Sequence, residues 1–167
     1  MDADDFDRMV RLHLPRLHRL ATRLTGRSTD GEDVAQEALL RIARHWRSCR
    51  DATSFWSWAA AIVVNTFRDR LRARPQPART DYESAVSSEP SAHANVVADE
   101  LAERVATAVS SLPPREREVL ALCFYESMDI GSVAVALGLS TQNVRTTLAH
   151  ARQGIARQLG LTQEHRS

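Results

Sequence analysis

The side chains best suited to recognising a partner lie in residues 140–150, "STQNVRTTLAH". At helical spacing, Gln142, Asn143, Arg145, Thr146 and His150 face away from the apolar stripe of Val144, Leu148 and Ala151, which Ile155 and Leu159 continue. Gln and Asn can each make two hydrogen bonds to adenine, and Arg can read guanine or hold a phosphate. One good bidentate pair is worth about 1–3 kcal/mol of base discrimination. Upstream, Ala134, Gly138 and Val144 have the types and spacing of a helix-turn-helix. A small residue lets two helices approach, Gly accepts positive φ in the turn, and an apolar residue packs back on the first helix. Ser140 suits an N-cap, with Asn143 at the capping-box position. These residues fit a helix that reads duplex DNA. They also fit a plain αα-hairpin with a solvated polar face.

A second constellation is "DGEDVAQEALLRIARHW", residues 30–46. Val34, Ala38, Leu39, Ile42 and Trp46 share one side of a helix, and Asp33, Gln36, Glu37, Arg44 and Arg47 share the other. Leu40 falls on the polar side. A lone exposed Leu is unremarkable, yet an apolar anchor within a polar rim also has the make-up of a helix-binding patch. The third constellation is "FWSWAAAIVVNTFRDRLRAR", residues 55–74. Phe55 and Trp58 read as core, and Trp56 points elsewhere. Arg68, Arg70, Arg72 and Arg74 concentrate positive charge. Aromatic rings beside arginines suit single-stranded nucleic acid, where bases stack and phosphates are neutralised. A basic helix end also complements its own dipole.

Bond chemistry is not indicated, and neither catalytic residues nor a cofactor are expected. No Ser/His/Asp order or Gly-rich phosphate loop stands out. His45 and Cys49, four apart, could share a helix face for a metal, but they read as an unremarkable pair, so no metal is expected. Cys123 reads as core.

Helical periodicity runs through almost the whole chain, and strand signals are nearly absent. The first helix carries Phe6, Val10, Leu17, Leu20 and Leu24, with a kink or short break expected at Pro15 and a C-cap at Gly26. Thr29 or Asp30 is expected to cap the second helix, with Asp33 in its first turn. The third begins at Thr53 or Ser54. Residues 74–96 hold three Pro and four Ser, which is linker composition. Beyond them, "ADELAERVATAVSSL" and "PPREREVLALCFYE" each read as one helix, the second opened by its two prolines. The fold expected is all-α: a helical domain at 1–73, a linker at 74–96, a second helical domain at 97–161 and a tail at 162–167.

The 167 residues carry a net charge of +1, and every one of the 22 cations is Arg. Fourteen Arg face ten acids in residues 1–75, two face six in 76–111, and six face five in 112–167. So small a net charge argues against a protein that grips DNA alone by bulk electrostatics. Two cysteines make no disulfide framework, the N-terminus "MDADDFDRMV" is acidic, and no apolar run reaches the ~18 residues of a membrane span. A cytoplasmic protein without membrane insertion is expected.

The motifs, taken in order, resemble the extracytoplasmic-function sigma factors of bacterial RNA polymerase. "EDVAQEALLRIARHW" resembles the region 2 helix that docks on the β′ coiled coil. Phe55, Trp58, Ile62, Asn65, Asp69 and Arg72 match the family's pattern in the next helix. "LPPREREVLALCFYE" with the following helix-turn-helix resembles region 4. The resemblance implies a non-enzymatic promoter-specificity subunit. Its partners would be core polymerase (β′ coiled coil and β flap), promoter DNA and an anti-sigma factor. It implies that Asp33, Gln36, Glu37 and Leu40 bind β′. The loop at 47–53, with Arg47, Arg50 and Asp51, would hold a base flipped from the −10 element, near Asn65, Arg68 and Arg72. Gln142, Asn143, Arg145, Thr146 and His150 would read the −35 element. An acidic linker of 23 residues, about 25–30 Å in r.m.s. span and about 75 Å when extended, would thread the polymerase cleft. Thr147 and His150 replace two arginines usual in the family, Ser132 replaces a Glu, and Asn143 stands where Gly is common. Fewer phosphate contacts imply weaker, less salt-dependent −35 binding. The alternative is a sigma-like adaptor that binds an anti-sigma protein without binding DNA.

Overall fold

The structure, a computed structural model, describes residues 2–73 and 96–161; the linker at 74–95, including Arg74, and the tail at 162–167 lie outside the described residues. Among the described residues seven α-helices run in chain order: α1 (Ala3–Thr25), α2 (Ser28–His45), α3 (Phe55–Ala73), α4 (Val96–Ser110), α5 (Pro114–Leu120), α6 (Ile130–Leu137) and α7 (Thr141–Gln158). No strand occurs among the described residues. Helices α1–α3 form an N-terminal lobe, and α4–α7 a C-terminal one.

In the N-terminal lobe the predicted stripe folds inward. Leu17, Leu20 and Leu24 are fully buried, and Phe6 and Val10 pack partly against the same core. Asp2 caps α1 by accepting from the Asp5 amide at 2.8 Å, and Gly26 ends it at φ 71°. The break expected at Pro15 does not occur: α1 is continuous through it. A proline removes one backbone bond, to the carbonyl four residues earlier. Pro15 and Arg11 both lie on the exposed side, so water can serve that carbonyl while the buried leucines keep the axis.

The predicted cap of α2 is also corrected. Helical bonding already starts at Arg27, whose carbonyl accepts from Gly31 at 2.9 Å, and no side chain caps the end. With only Gly26 and Arg27 between α1 and α2, Thr29 and Asp30 lie inside the helix. Asp30 still sits in the first turn, where a negative charge favours the helix dipole; Asp33 falls one turn later.

In the C-terminal lobe, Pro113 and Pro114 open α5 as expected, but the helix does not run on to Glu126. It passes into a π-turn, Ala121–Tyr125, closed by the Glu126 amide donating to the Ala121 carbonyl at 3.1 Å. Ser127 follows at φ 50°. The wider turn re-aims the last residue of the helix, Glu126, toward α1. Leu122, Val133, Leu137, Val144 and Ala151 fill the lobe's interior. The buried side chains of both lobes form one continuous cluster, and α6 packs against α3.

Gly31 marks the tightest approach of α1 and α2. A Cβ there would stand 2.6 Å from Thr22 Oγ1 and 2.7 Å from Thr22 Cα. Gly31→Ala gains up to about 1 kcal/mol of helix propensity but overpacks the contact, at a typical cost of about 1–3 kcal/mol. The expected net effect is a lower melting temperature by circular dichroism, and an unchanged or raised one would contradict this packing.

Candidate polymerase and nucleic-acid interfaces

The helix-turn-helix forms as its residues suggested. Asp129 caps α6 by accepting from the Ser132 amide at 3.0 Å, and Gly138 ends it at φ 65°. The Leu139 amide donates to the Ala134 carbonyl at 2.8 Å, and Ser140 Oγ accepts from the Asn143 amide at 3.1 Å. Two satisfied caps two residues apart, Gly138 and Ser140, fix the angle between α6 and α7. Val144, Leu148 and Ala151 are buried, while Gln142, Asn143, Arg145, Thr146 and His150 all face solvent. A row of donors and acceptors on a rigid, open helix is what a major groove can receive.

On α2, Val34, Ala38 and Ile42 are buried and Leu40 is 57% exposed. Asp33 and Gln36 are exposed, and Glu37 is half-buried. The acids on this face are already engaged by α3. Arg70 donates to Asp33 Oδ2 and Glu37 Oε2, each at 3.1 Å. Arg41 bridges Glu37 Oε1 and Asp69 Oδ2, each at 2.6 Å. The hydrogen bond from Arg70 is the main cause that holds the Glu37 carboxyl below the usual carboxylate range, with Arg41 adding to it against partial desolvation.

The loop before α3 is tied from several sides. Asp51 Oδ1 accepts from Thr53 Oγ1 at 2.7 Å and from the Ser54 amide at 2.8 Å. These bonds, Thr53 first, keep the Asp51 carboxyl below its ordinary value. Trp58 Nε1 donates to Ser48 Oγ at 3.2 Å, and buried Cys49 donates to the Asp51 carbonyl at 3.4 Å. Asp51 is therefore a residue that shapes the loop, while Arg47 and Arg50 project from it into solvent. His45 is exposed and Cys49 buried beyond the end of α2, so the two share no helix face. Trp58 and Phe55 pack together, with ring centroids 5.9 Å apart. Trp56 is drawn in as well: it stacks on His13 at 5.5 Å, and the Arg16 guanidinium lies 3.9 Å above its ring.

The basic patch expected on α3 is dispersed. Arg70 turns to α2, and Arg72 reaches Asp69 at 3.3 Å while staying largely exposed. Arg68 crosses to the other lobe, donating from Nε to Glu118 Oε1 at 2.9 Å and from Nη2 to Oε2 at 2.6 Å. Asn65 remains exposed. Arg68, Arg70 and Arg72 each have a carboxylate to hand, so this cluster carries less free positive charge than its sequence suggests.

The bond from Arg68 belongs to a seam that joins the lobes. Arg115 also donates to Glu118, at 3.2 Å. Arg16 donates to Glu126 Oε2 at 2.6 Å and to the Glu126 carbonyl at 2.7 Å, and Arg23 reaches Oε1 at 3.4 Å. Arg117, itself buried, donates to the Leu24 carbonyl at 2.7 Å and to the Ser110 carbonyl at 2.6 Å, closing the C-terminal ends of α1 and α4 together. Glu118 is 2% exposed and Glu126 3%. Charged groups so deep survive only when paired.

Two family signatures cover most of the chain: Sigma-70 region 2 matches residues 9–75, and Sigma-70, region 4 matches residues 102–155. The chain belongs to the extracytoplasmic-function sigma-70 family. It is 35% identical to the extracytoplasmic-function RNA polymerase sigma factor SigM of Mycobacterium tuberculosis, over 93% of this chain and 77% of that protein. It is 31% identical to SigE of Mycolicibacterium smegmatis over 89% of this chain, and spans 59% of that longer relative. Its fold matches the sigma factor RpoE of Bartonella quintana, solved with the anti-sigma factor NepR, at a TM-score of 0.79 and 20% identity, over 96% of this chain and all of the other. It also matches CnrH, solved with the cytosolic domain of CnrY, at 0.66 and 24%, over 95% and 89% of the two chains.

Helices α2 and α3 therefore lie in region 2, and α6 and α7 in region 4. Sequence reasoning missed the seam. A signal was present: Glu118, Leu122 and Glu126 follow one another at spacings of four, so two acids share a helix face with a residue that must be buried. Acids on a core-facing stripe demand partners from elsewhere in the chain.

Glu37 supplies a pH test. A carboxyl held below its unfolded value adds stability above that value and loses it as pH falls through the folded one. The α2–α3 contact should thus weaken on acidification below the ordinary Glu range. Titration by carboxyl-resolved NMR should show Glu37 shifting upward in Arg70→Met; an unmoved Glu37 would show that Arg70 does not hold it.

Proposed function

We propose that this sigma factor directs core RNA polymerase to a dedicated set of promoters. Leu40, with Asp33, Gln36 and Glu37 around it, is the surface for the β′ coiled coil. Arg47, Arg50, Asn65, Arg68 and Arg72 receive the melted −10 strand, and Asp51 sets the loop in which a flipped base is held. Extruding a base costs a few kcal/mol, which suits a loop fixed in advance by Trp58, Cys49 and Asp51. Region 4 meets the β flap and reads the −35 duplex with Gln142, Asn143, Arg145, Thr146 and His150. The linker at 74–96 threads the polymerase cleft between them, its acids facing basic surfaces. Bond formation is left to the polymerase. The protein acts in the cytoplasm, with an anti-sigma factor as its regulator; among the described residues no helix is long and apolar enough to cross a membrane.

The observation that carries this reading is the outer face of α7. Five recognition side chains are open to solvent on a helix whose opposite stripe is buried and whose start is capped by Ser140. Nothing in the packing of region 4 requires those residue types at those positions. The adaptor reading, in which DNA is not bound, leaves that face without a role.

Run-off transcription with core polymerase on a fragmented genomic library tests the proposal: initiation at sites sharing a two-part motif supports it, and no initiation sinks it. Arg145→Ala should then relax or weaken −35 recognition by about 1–3 kcal/mol, and an unchanged sequence preference would remove α7 as the reading helix. Leu40→Asp should abolish capture of core polymerase while leaving the fold intact, since Leu40 lies outside the core.

A further inference from the structure

Residues 130–161, which contain the helix-turn-helix, hold Arg145, Arg152 and Arg157 and neither Asp nor Glu. The whole chain carries +1, so the remainder carries −2. Two of the three cations are placed to the side. Arg152 lies over the Phe124 ring at 5.4 Å, and Arg157 shares a surface hollow with Glu116 of α5. Between Gln142 and His150 the one arginine is Arg145. At about 100° per residue, Arg145 and His150 stand about 140° apart around the axis. They flank the outward, exposed line of Gln142, Thr146 and Gln153. The first residues of a recognition helix meet base edges. His150 lies farther on, about 12 Å along the axis from Gln142, and the major groove is only about 8.5 Å deep. Its imidazole is therefore set at the rim of the groove, where the phosphates run. It is exposed, and no hydrogen bond or ion pair engages it among the described residues.

We propose that His150 is a proton-gated phosphate contact, so that region 4 holds the −35 duplex more tightly as pH falls. This rests on the reading of α7 as the −35 helix. Histidine is the side chain whose charge changes between about pH 5 and 8. A phosphate brought against it favours the charged form, and the charge-assisted bond is lost when the proton leaves. The surroundings leave that change to the DNA. The positions one turn away on α7, Thr146, Thr147, Gln153 and Gly154, are uncharged, and α6 has no charged residue. On α5, Glu116 faces this flank: its Oε2 stands 3.8 Å from a Cβ built on Gly154, with Arg157 beside the same hollow. Arg115 is paired with Glu118, and Arg117 is turned to backbone carbonyls. On α4, Glu100, Glu103 and Arg104 gather around Gln158 and Leu159, two turns farther along. With Arg145 as the permanent cation of the row, His150 supplies a second that comes and goes.

Holoenzyme assembled with the wild-type chain, His150→Gln or His150→Arg provides the test. The probe is a promoter duplex recovered by run-off transcription, and affinity is measured at about pH 6 and about pH 8.5, on either side of the histidine range. At the lower pH the wild-type chain should bind about tenfold more tightly than His150→Gln, the worth of one charge-assisted bond. At the higher pH the two should be equal. His150→Arg should keep its advantage over His150→Gln at both. The salt dependence of the wild-type chain should be steeper than that of His150→Gln by about 0.9 in log–log slope, at the lower pH alone. Comparing the chains at each pH cancels the titration of the polymerase and of the other histidines, which all the chains share. A wild-type to His150→Gln ratio that does not change with pH overturns the inference: at one, His150 makes no contact, and at a constant higher value it meets a base without regard to charge. If exchanging the −35 half of the duplex alters binding by none of the chains, α7 does not read that element, and the reading beneath the inference falls with it.

Discussion

Two buried carboxylates decide how this molecule is put together. Glu118 and Glu126, on either side of the π-turn of region 4, have left water almost completely, and each is met by two arginines. A lone carboxylate at that depth would cost several kcal/mol. Bidentate arginine pairing offsets that penalty while adding little net stability relative to hydrated, separated ions. A seam of this kind is specific without being strong: its geometry picks one docking of the lobes, and water or another partner can replace its contacts. The apolar cluster that continues from one lobe to the other favours closure, so an opened chain needs another surface to cover what it exposes.

The same logic explains the distribution of charge. Region 2 is rich in arginine, yet within the described residues much of that charge is spoken for. Arg70 and Arg41 bind the acids of α2, Arg16 and Arg23 bind Glu126, and Arg68 binds Glu118. A chain with a net charge of +1 built in this way has little non-specific attraction for DNA.

The local features of the fold were legible in the sequence because they depend on neighbours a few residues apart. Ser140 as a cap, Gly138 in the turn, the α7 stripe and the polar face of α2 with its single Leu40 all follow from periodicity and capping chemistry. Three things were not legible. Pro15 was expected to kink or break α1, and only the packing on both sides of it, Phe6 and Val10 before and Leu17, Leu20 and Leu24 after, shows why the helix runs on. Arg68, Arg70 and Arg72 read as one basic patch, since nothing local shows that their partners stand on three different helices or helix faces. The seam joins residues 50 and 110 positions apart, and its signal, acids on a core-facing stripe, gains meaning only once the opposing arginines are in place. The linker's composition implied two separate domains, whereas the two lobes of the described residues share one buried cluster.

The most direct measurement is the distance between the lobes, read by pulsed electron spin resonance from labels on two exposed positions, Arg44 in α2 and Gln153 in α7. In the free chain a single short distance should dominate. In the polymerase holoenzyme on a melted promoter it should give way to a longer one, within the reach of about 75 Å that the linker allows. The same distance in both states would contradict a sigma factor that must part its own lobes to hold an open promoter.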